Sequence, residues 1–437
     1  MNCLRVPQIL MPKEETDLYK WSVIACDQYT SQPEYWKETE RIVGDAPSTL
    51  HLTLPEVYLE GEEEDGRIQK IHGTMKQYLS DGTLRKLPKG FMLVERSFGK
   101  KNSRCGLVVE VDLETYEYKK GGQSLTRPTE MTIEERIPPR LKVRREASVE
   151  LPHIMLLIDD PDCTVIEPLM EKKTQFEQVY DTDLMQKGGH ISGWLIKEGT
   201  ETKAIMQQIE KLADADVFGK KYHLEKEYPL LNFAVGDGNH SMATAKAAWE
   251  EIKKNLSAEE QKDCPARYCL CEIVNIHDKS LEVEPIHRVV FHAEEKELFD
   301  YAKTYYEAKG CQILIEEGKT MPFAKTEEHV FGVCSKEGFK AFKVLHPVWG
   351  IAAATLQNFL DAFLGEHKEC RIDYIHGADV VESLGMEEGN IGFLLPEVKK
   401  EDLFKGVIVD GVLPRKTFSM GEANEKRYYM ECRQIKG

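Results

Sequence analysis

The segment GDGNHS at residues 236–241 places two glycines, an acid, an amide, an imidazole and a hydroxyl between an apolar run and a helical pattern. Where a strand, a glycine turn and a helix N-terminus follow one another, backbone N–H groups and the helix dipole point outward together and can bind an anion. In such a site Asp237 can hold a metal ion or accept a substrate proton, and His240 can contact a phosphoryl group. The segment therefore predicts an anion site with acid–base or metal chemistry.

The same segment also fits a purely structural turn. Glycine, aspartate and asparagine tolerate positive φ, and Asn239 or Ser241 could cap the following helix. Aspartate and histidine are costly to bury without partners, which favours the functional interpretation. The segment is neither a Walker loop, G-x-x-x-x-G-K-[ST], nor a Rossmann fingerprint, G-x-G-x-x-G, because Ser241 stands at the last glycine position.

Three other segments carry candidate site residues, among them arginine and lysine side chains suited to binding phosphate or carboxylate groups. An arginine fork binds such groups with two hydrogen bonds, and a lysine is a phosphate point charge. The alternatives are a capped helix start, a surface turn with a salt-bridged arginine, and a surface lysine. The candidates are Glu130, Thr132 and Arg140 in residues 127–140, His287 and Arg288 in residues 284–292, and Arg415, Lys416 and Thr417 in residues 411–421.

Composition and charge narrow the class of protein. The 437 residues exceed a typical single core, so two domains are expected. A net charge of −17 disfavours nucleic-acid partners. No apolar run suits a membrane span, and the N-terminus does not resemble a signal peptide. The 11 cysteines form no C-x-x-C pair and no H-x-x-x-H pattern occurs, which predicts a cytoplasmic protein with reduced thiols and no zinc site.

The elements that must position these residues alternate between strand and helix patterns. Strands are predicted at residues 91–98, 105–113, 153–160, 190–197 and 266–276, and helices at 67–82 and after residue 238. The apolar run at 23–26 ends at Asp27 and Tyr29, a pair that alone is more typical of structure. We expect an α/β to α+β fold with mixed sheets, divided into domains 1–292 and 293–437 by an acidic, helical change in composition.

Several motifs in a fixed order resemble a prokaryotic family of unknown function, DUF1015. VGDGNHSMATA resembles the family's D-G-H-H-R-type box, and an apolar strand and the segment PIHRVV at 285–290 follow it. Upstream, residues 129–140 match an H-E-x-T…R segment, and residues 414–418 match a P-x-K-[ST]-[TY]-F segment. The resemblance covers nearly the whole chain.

The chain departs from the family pattern at three of these positions. Asn239 and Ser241 replace the second histidine and the arginine of the box, and Thr129 replaces the histidine of the upstream segment. Loss of the box arginine removes a bidentate phosphate donor. An altered substrate, another donor such as Lys246, and weakened activity all remain open.

The resemblance implies a ParB/sulfiredoxin-like nucleotide-binding core, related to free-serine kinases, with a smaller C-terminal α+β domain contributing to the site. It implies a phosphotransferase that moves a phosphoryl group between ATP or ADP and a hydroxy amino acid, L-serine or phosphoserine being the first candidate, with Mg²⁺. Asp237, His240 and Glu130 are the implied catalytic residues, and Asp237 is the implied metal ligand. The implied nucleotide-binding residues are Gly236, Gly238, Asn239, Ser241, Arg140, His287, Arg288, Lys416 and Thr417.

Two alternatives stay open at this point. One is a nucleotide-responsive binding protein without turnover, as in the CTP-binding members of that fold. The other is a metal-dependent hydrolase built on Asp237, His240 and His287. The expected partners are a nucleotide and an amino acid, with no nucleic acid and no membrane; homodimerisation is left open.

Overall fold

The structure, a computed structural model of the 437-residue chain, describes residues 3–30, 32–59, 61, 63–99, 103–119, 121–224, 226–318, 327–397, 399–409, 411–414 and 416–436. Within these ranges, no helix combines the length and the apolar character that crossing a membrane requires.

The secondary structure alternates between strands and helices along the chain. The strands are β1 (Leu4–Arg5), β2 (Leu10–Pro12), β3 (Leu84–Lys86), β4 (Gly90–Ser97), β5 (Arg104–Asp112), β6 (Thr126–Pro128), β7 (Val149–Glu150), β8 (Met155–Ile158), β9 (Glu177–Asp183), β10 (His190–Lys197), β11 (Phe233–Asp237), β12 (Tyr268–Asn275), β13 (Val283–Pro285), β14 (His287–Phe291), β15 (Gln312–Glu317), β16 (Glu328–Ser335), β17 (Gly338–Leu345), β18 (Arg371–Ile375), β19 (Asn390–Leu394), β20 (Phe418–Met420) and β21 (Arg433–Gln434). The helices are α1 (Leu18–Trp21), α2 (Pro33–Val43), α3 (Glu64–Ser80), α4 (Ile137–Arg144), α5 (Glu167–Glu171), α6 (Thr200–Leu212), α7 (Ala215–Lys221), α8 (Asn239–Ile252), α9 (Ala258–Asp263), α10 (Glu295–Glu307), α11 (Ala352–Glu366), α12 (Ala378–Gly385) and α13 (Lys400–Val409).

Two compact units divide the chain. The first contains residues 1–282 together with 421–437, and the second contains residues 283–420. The sequence analysis predicted a domain boundary between residues 292 and 293, just before the acidic helix α10. It did not predict that the C-terminal segment, residues 421–437, belongs to the first unit. The second unit begins earlier because β13 pairs with β20, a contact between distant residues that composition does not reveal.

The first unit is built around a nine-stranded mixed sheet, in the order β6-β11-β8-β12-β5-β4-β10-β9, with β1 paired to β5. The β6–β11 and β8–β12 pairs are parallel, and the other pairs are antiparallel. The predicted mixed α/β class with mixed sheets is confirmed.

Both faces of this sheet are buried, because successive side chains of a strand point to opposite faces. Leu93 on β4 joins the core that contains Trp249 of α8. Its neighbour Met92 joins the opposite core, which contains Ile71 of α3 and Met430 of the C-terminal segment. Burial on both faces explains why β4 and β5 appear as continuous apolar runs in the sequence.

The second unit has its own antiparallel sheet of six strands, in the order β15-β17-β16-β19-β14-β18, and a smaller β13–β20 pair. Val289 on β14, Cys334 on β16 and Val381 on α12 pack together in its core. The unit therefore has a hydrophobic interior of its own.

Glu431 is a buried acid in the first unit, fully excluded from solvent and bonded to the hydroxyl of Tyr180 at 2.8 Å. Burial raises the pKa of Glu431 to about 7 from its ordinary 4.5. Between pH 4.5 and pH 7, Glu431 is therefore protonated in the native state and ionised in the unfolded state. Its contribution to stability is therefore full below pH 4.5 and is lost as the pH rises to about 7, on the order of 3 kcal/mol in total.

Glu431→Gln is therefore expected to flatten the fall in the free energy of unfolding between pH 4.5 and 7 and to stabilise the protein at pH 8. Urea unfolding at several pH values measures this change. Glu422→Gln, at an exposed position of the same segment, is the matched control and should follow the wild type. A Glu431→Gln profile parallel to the wild-type profile would contradict the raised pKa.

Candidate functional site

The turn between β11 and α8 has the geometry that the sequence predicted. The register of β11 against β8 shifts between Val235 and Asp237, which places Gly236 in a bulge. Gly238 has φ +80° and precedes the first residue of α8, Asn239. Among the described residues no side chain caps this helix, so the capping roles considered for Asn239 and Ser241 are wrong.

Gly238 also lies close to neighbouring backbone. A Cβ added there would sit 3.0 Å from both Cα and Cγ1 of Ile154. A glycine is thus required twice, by the positive φ and by the approach of the chain that precedes β8. The turn holds the N-terminus of α8 against residues 153 and 154.

Gly238→Ala is expected to destabilise the protein by about 1–2 kcal/mol through the positive φ alone, and by more because of the contact with Ile154. Gly82→Ala is the matched control, because Gly82 has φ +76° and a Cβ added there would meet no other atom within 4 Å. Urea unfolding of both variants separates the two costs. Equal destabilisation would show that the Ile154 contact relaxes freely.

A lysine and three carboxylates form the charged part of the site. The Lys426 Nζ atom lies 3.5 Å from Asp237 Oδ1. Burial lowers the pKa of Lys426, but Asp237, Asp27 and Glu130 outweigh this effect and raise it above its ordinary value. Lys426 is therefore a firmly charged ammonium group between carboxylates.

Asp27 belongs to this group through backbone pairing. The N–H of Ala25 donates to the carbonyl of Lys426 at 2.8 Å, which brings the end of the apolar run beside the C-terminal segment. Burial raises the pKa of Asp27, but the charge of His153, the hydrogen bond from Gln28 and the charge of Lys426 lower it below its usual range. Asp27 is thus held as a carboxylate.

His240 is a neutral imidazole at physiological pH. Burial lowers its pKa to about 4, assisted by the charges of Arg140 and Arg136. Its Nε2 atom accepts a hydrogen bond from the backbone N–H of Ile133 at 3.3 Å. The proton of the neutral ring therefore lies on Nδ1, which makes His240 a hydrogen-bond donor without charge.

Arg140 lies near the turn, but its guanidinium is already engaged. It forms an ion pair with Glu56, and its Nη1 atom donates to the carbonyl of Arg136 at 2.6 Å. Its charge reaches the site, since it lowers the pKa values of His240 and Asp27. A bidentate fork from Arg140 onto a phosphate requires that the bond to Glu56 be given up.

Of the three residues that depart from the family pattern, two form side-chain hydrogen bonds and one has a side-chain oxygen without a partner among the described residues. Thr129 Oγ1 donates to the carbonyl of Val235 at 2.7 Å, so it fastens β6 to β11. Ser241 Oγ lies 2.9 Å from His153 Nε2. The Oδ1 atom of Asn239 is buried and accepts no hydrogen bond from any described residue. Asn239 therefore offers an acceptor at the first position of α8.

The other predicted binding residues belong to the second unit. Arg288 is fully buried, and its guanidinium donates to Ile286 O and, at 3.3 Å, to Gln357 Oε1. His287 Nδ1 accepts from the N–H of Leu395 at 3.1 Å. Thr417 Oγ1 donates to the carbonyl of Pro414 at 2.6 Å, Lys416 is exposed, and Arg415 lies outside the described residues. Phosphate binding by these residues stays a prediction.

Metal binding also stays a prediction. The described part of the chain contains no cluster of three or more His, Cys, Asp or Glu side chains arranged as metal ligands. Asp237, the predicted ligand, instead contacts Lys426.

Fold and site together define a mixed α/β protein in which a strand ends in a glycine turn at a helix N-terminus that no described side chain caps, beside clustered carboxylates and a lysine. The chain belongs to the family described as "Protein of unknown function (DUF1015)", whose model matches residues 7–363. The family predicted from the ordered motifs is confirmed.

Solved structures with similar folds are remote. A free serine kinase mutant in complex with ADP is 10% identical over 75% of this chain and 92% of that chain, with a TM-score of 0.39. A conserved hypothetical protein from Pyrococcus furiosus is 12% identical over 72% and 90%, with a TM-score of 0.35. A C-terminally truncated SbnI from Staphylococcus aureus is 9% identical over 72% and 82%, with a TM-score of 0.35. No curated protein matches the chain in sequence.

Proposed function

We propose that this protein is a small-molecule phosphotransferase that moves a phosphoryl group between a nucleotide, ATP or ADP, and a hydroxy amino acid. L-serine, or phosphoserine in the reverse direction, is the first substrate to test. The observation that carries the proposal is the N-terminus of α8, free of side-chain caps from the described residues, beside the Asp237–Lys426 pair. This arrangement combines an anion site with a carboxylate and a cation.

Phosphate oxygens would bind at the start of α8. The first N–H groups of a helix have no partners within the helix, and the dipole favours negative charge there. Gly238, with its positive φ, makes the turn that begins α8, and His240 donates from Nδ1 without adding charge. Lys426 supplies the positive charge that stabilises a transferring phosphoryl group.

The proposed chemical step needs one proton acceptor. The acceptor hydroxyl oxygen attacks the γ-phosphorus of ATP, the bond from that phosphorus to the bridging oxygen breaks, and ADP leaves. The hydroxyl proton passes to Asp237, which we assign as the general base. The reverse reaction, from phosphoserine to ADP, uses the same groups in the opposite order.

The carboxylates fit a magnesium ion bound with the nucleotide. Asp237, Asp27 and Glu130 all act on the ammonium of Lys426, so negative charge converges there. Mg²⁺ prefers oxygen ligands and commonly takes one or two carboxylates together with phosphates. One or two of these carboxylates would hold it together with the phosphates, and the bound ion would neutralise phosphate charge.

Phosphorus NMR of the protein with Mg²⁺, ATP and hydroxy amino acids tests the proposal, with phosphoserine and ADP as the reverse mixture. A new phosphomonoester signal, or ATP formed in the reverse mixture, is the expected result. Nucleotide binding without turnover would contradict phosphotransfer. If neither binding nor turnover were observed, the nucleotide would have no place in the assignment.

A nucleotide-responsive binding protein is the second candidate. It is favoured by the engagement of Arg140 with Glu56 and by Ser241 in place of the box arginine, because both reduce the cations available to a transferring phosphate. This candidate predicts nucleotide-dependent thermal stabilisation with no new phosphorus signal.

A further inference from the structure

A cavity of about 140 Å³ lies within the first unit, beside the turn that begins α8. Its walls come from α3, α4, α8, β12 and the segments around residues 52–59 and 147–154. Most of the lining is apolar, including Leu52, Leu54, Met75, Val143 and Leu270.

One end of this cavity shares its residues with the candidate site. Ser241 and Thr244, from the first turns of α8, line it, and so does His153, which bonds Ser241 at 2.9 Å. Arg140 and Glu56, joined as an ion pair, line the same cavity. A second ion pair, Arg144–Glu150 at 2.6 Å, also lines the cavity, so two ion pairs interrupt a lining that is otherwise mostly apolar.

The size of the cavity indicates what it can hold. An engineered apolar cavity of about 150 Å³ in another protein stays dry and binds benzene. A cavity of about 140 Å³ with mostly apolar walls therefore suits a phenyl ring or a branched aliphatic group. The hydroxymethyl group of serine would leave most of this space unfilled, and unfilled apolar space forgoes packing contacts.

We infer that this cavity receives an apolar substituent of the phosphoryl acceptor, so that the preferred acceptor is a β-hydroxy amino acid bearing a phenyl-sized or branched aliphatic group. The inference rests on the proposed phosphotransfer, and it names the acceptor class. The hydroxyl of the acceptor faces the start of α8, while its substituent fills the space between α4 and α8. Closing that space selectively should remove the preference without touching Asp237.

Ala147→Leu tests this assignment, because Ala147 lines the cavity and is buried. Val143→Met on α4 is a second filling variant, in case the first perturbs folding. Ala258→Leu, at an exposed position of α9, makes the same change in side-chain size elsewhere in the unit and is the matched control. Binding of 4-fluorobenzyl alcohol, followed by fluorine NMR without nucleotide, reports on the cavity alone.

The expected result is saturable binding to the wild type and to Ala258→Leu, weakened at least tenfold in both filling variants. In phosphotransfer, β-phenylserine should exceed L-serine in kcat/KM by roughly 10–200-fold, and Ala147→Leu should remove that advantage while leaving L-serine turnover unchanged. Absence of probe binding to the wild type, or undiminished binding in the filling variants, would overturn the inference even if L-serine is phosphorylated. Probe binding without phosphotransfer to β-phenylserine or to L-serine would instead overturn the proposed function, and with it the inference that the cavity receives part of a phosphoryl acceptor.

Discussion

Replacing Asp237 with asparagine is expected to lower the rate of phosphoryl transfer by roughly 10²–10⁴-fold, the range typical for loss of a general base. Asparagine keeps the size of the side chain and can still accept a hydrogen bond from Lys426, but it cannot take the hydroxyl proton. Asp237 ends β11 at a partly exposed position, so the fold should remain intact. The loss is therefore expected in kcat rather than in stability.

The measurement is initial velocity with saturating nucleotide and acceptor, together with circular dichroism and urea unfolding of the same samples. Asp263→Asn, at the exposed end of α9, is the matched control and should keep full activity. Asp27→Asn provides a comparison within the site, since Asp27 acts on Lys426 without contacting Asp237 in any described hydrogen bond. Undiminished turnover in Asp237→Asn would assign the base to another carboxylate.

Local sequence patterns were sufficient for the β11–α8 turn. The apolar run, the two glycines and the helical spacing lie within about twenty consecutive residues, and strand, turn and helix each depend on neighbours in the chain. The strands at residues 190–197 and 266–276 could be predicted just as well, because strands buried on both faces have continuous apolar runs in the sequence. The ordered motifs added the family.

The partners of that turn could not be predicted in the same way. Lys426 and Asp27 are nearly the whole chain apart and meet because residues 24 and 427 form a β-bridge. A contact between only two residues leaves no periodic pattern in the sequence by which it could be predicted. Asp27 had one indication, its position at the end of an apolar run, whereas Lys426 had none.

Charge runs were misleading in one place. An acidic run such as residues 60–66 is typical of a solvated loop, but Glu64 and Asp65 form the first turn of α3, and residues 60 and 62 lie outside the described residues. Acidic side chains are favourable at a helix N-terminus because they oppose the positive end of the dipole. A run of acids before an amphipathic pattern therefore also indicates a helix start.

Two arginines lie side by side within the large sheet, away from the candidate site. Arg96 on β4 and Arg104 on β5 are directly opposite each other, and both are buried. Like charges in that relation destabilise a sheet. Arg104 has an acid partner, Glu272, at 3.2 Å, whereas Arg96 forms no ion pair with any described residue and its Nε and Nη2 atoms lack hydrogen-bond partners there.

The same substitution is therefore expected to act in opposite directions at these two positions. Arg96→Met should stabilise the protein by about 1–3 kcal/mol, because it removes a buried charge that forms no ion pair with any described residue. Burial and the charge of Arg104 already lower the pKa of Arg96 to about 10. Methionine can pack against the rings of Phe98 and Tyr429, which the guanidinium now faces at 4.8 and 6.0 Å.

Arg104→Met should instead destabilise the protein by about 3–5 kcal/mol, because Glu272, fully buried, would keep its hydrogen bond from the hydroxyl of Tyr429 but lose its ion-pair partner. Urea unfolding at pH 7 measures both variants, and the two share size, strand environment and charge change, so each is the control for the other. Destabilisation of similar size in both would mean that the charge of Arg96 is compensated by Glu272 and the neighbouring rings, and would contradict the prediction. Changes of opposite sign in the free energy of unfolding would show that the cost of burying an arginine in this sheet depends on whether an acid lies within ion-pair distance. They would also show that the charge of Arg96 is not needed for folding.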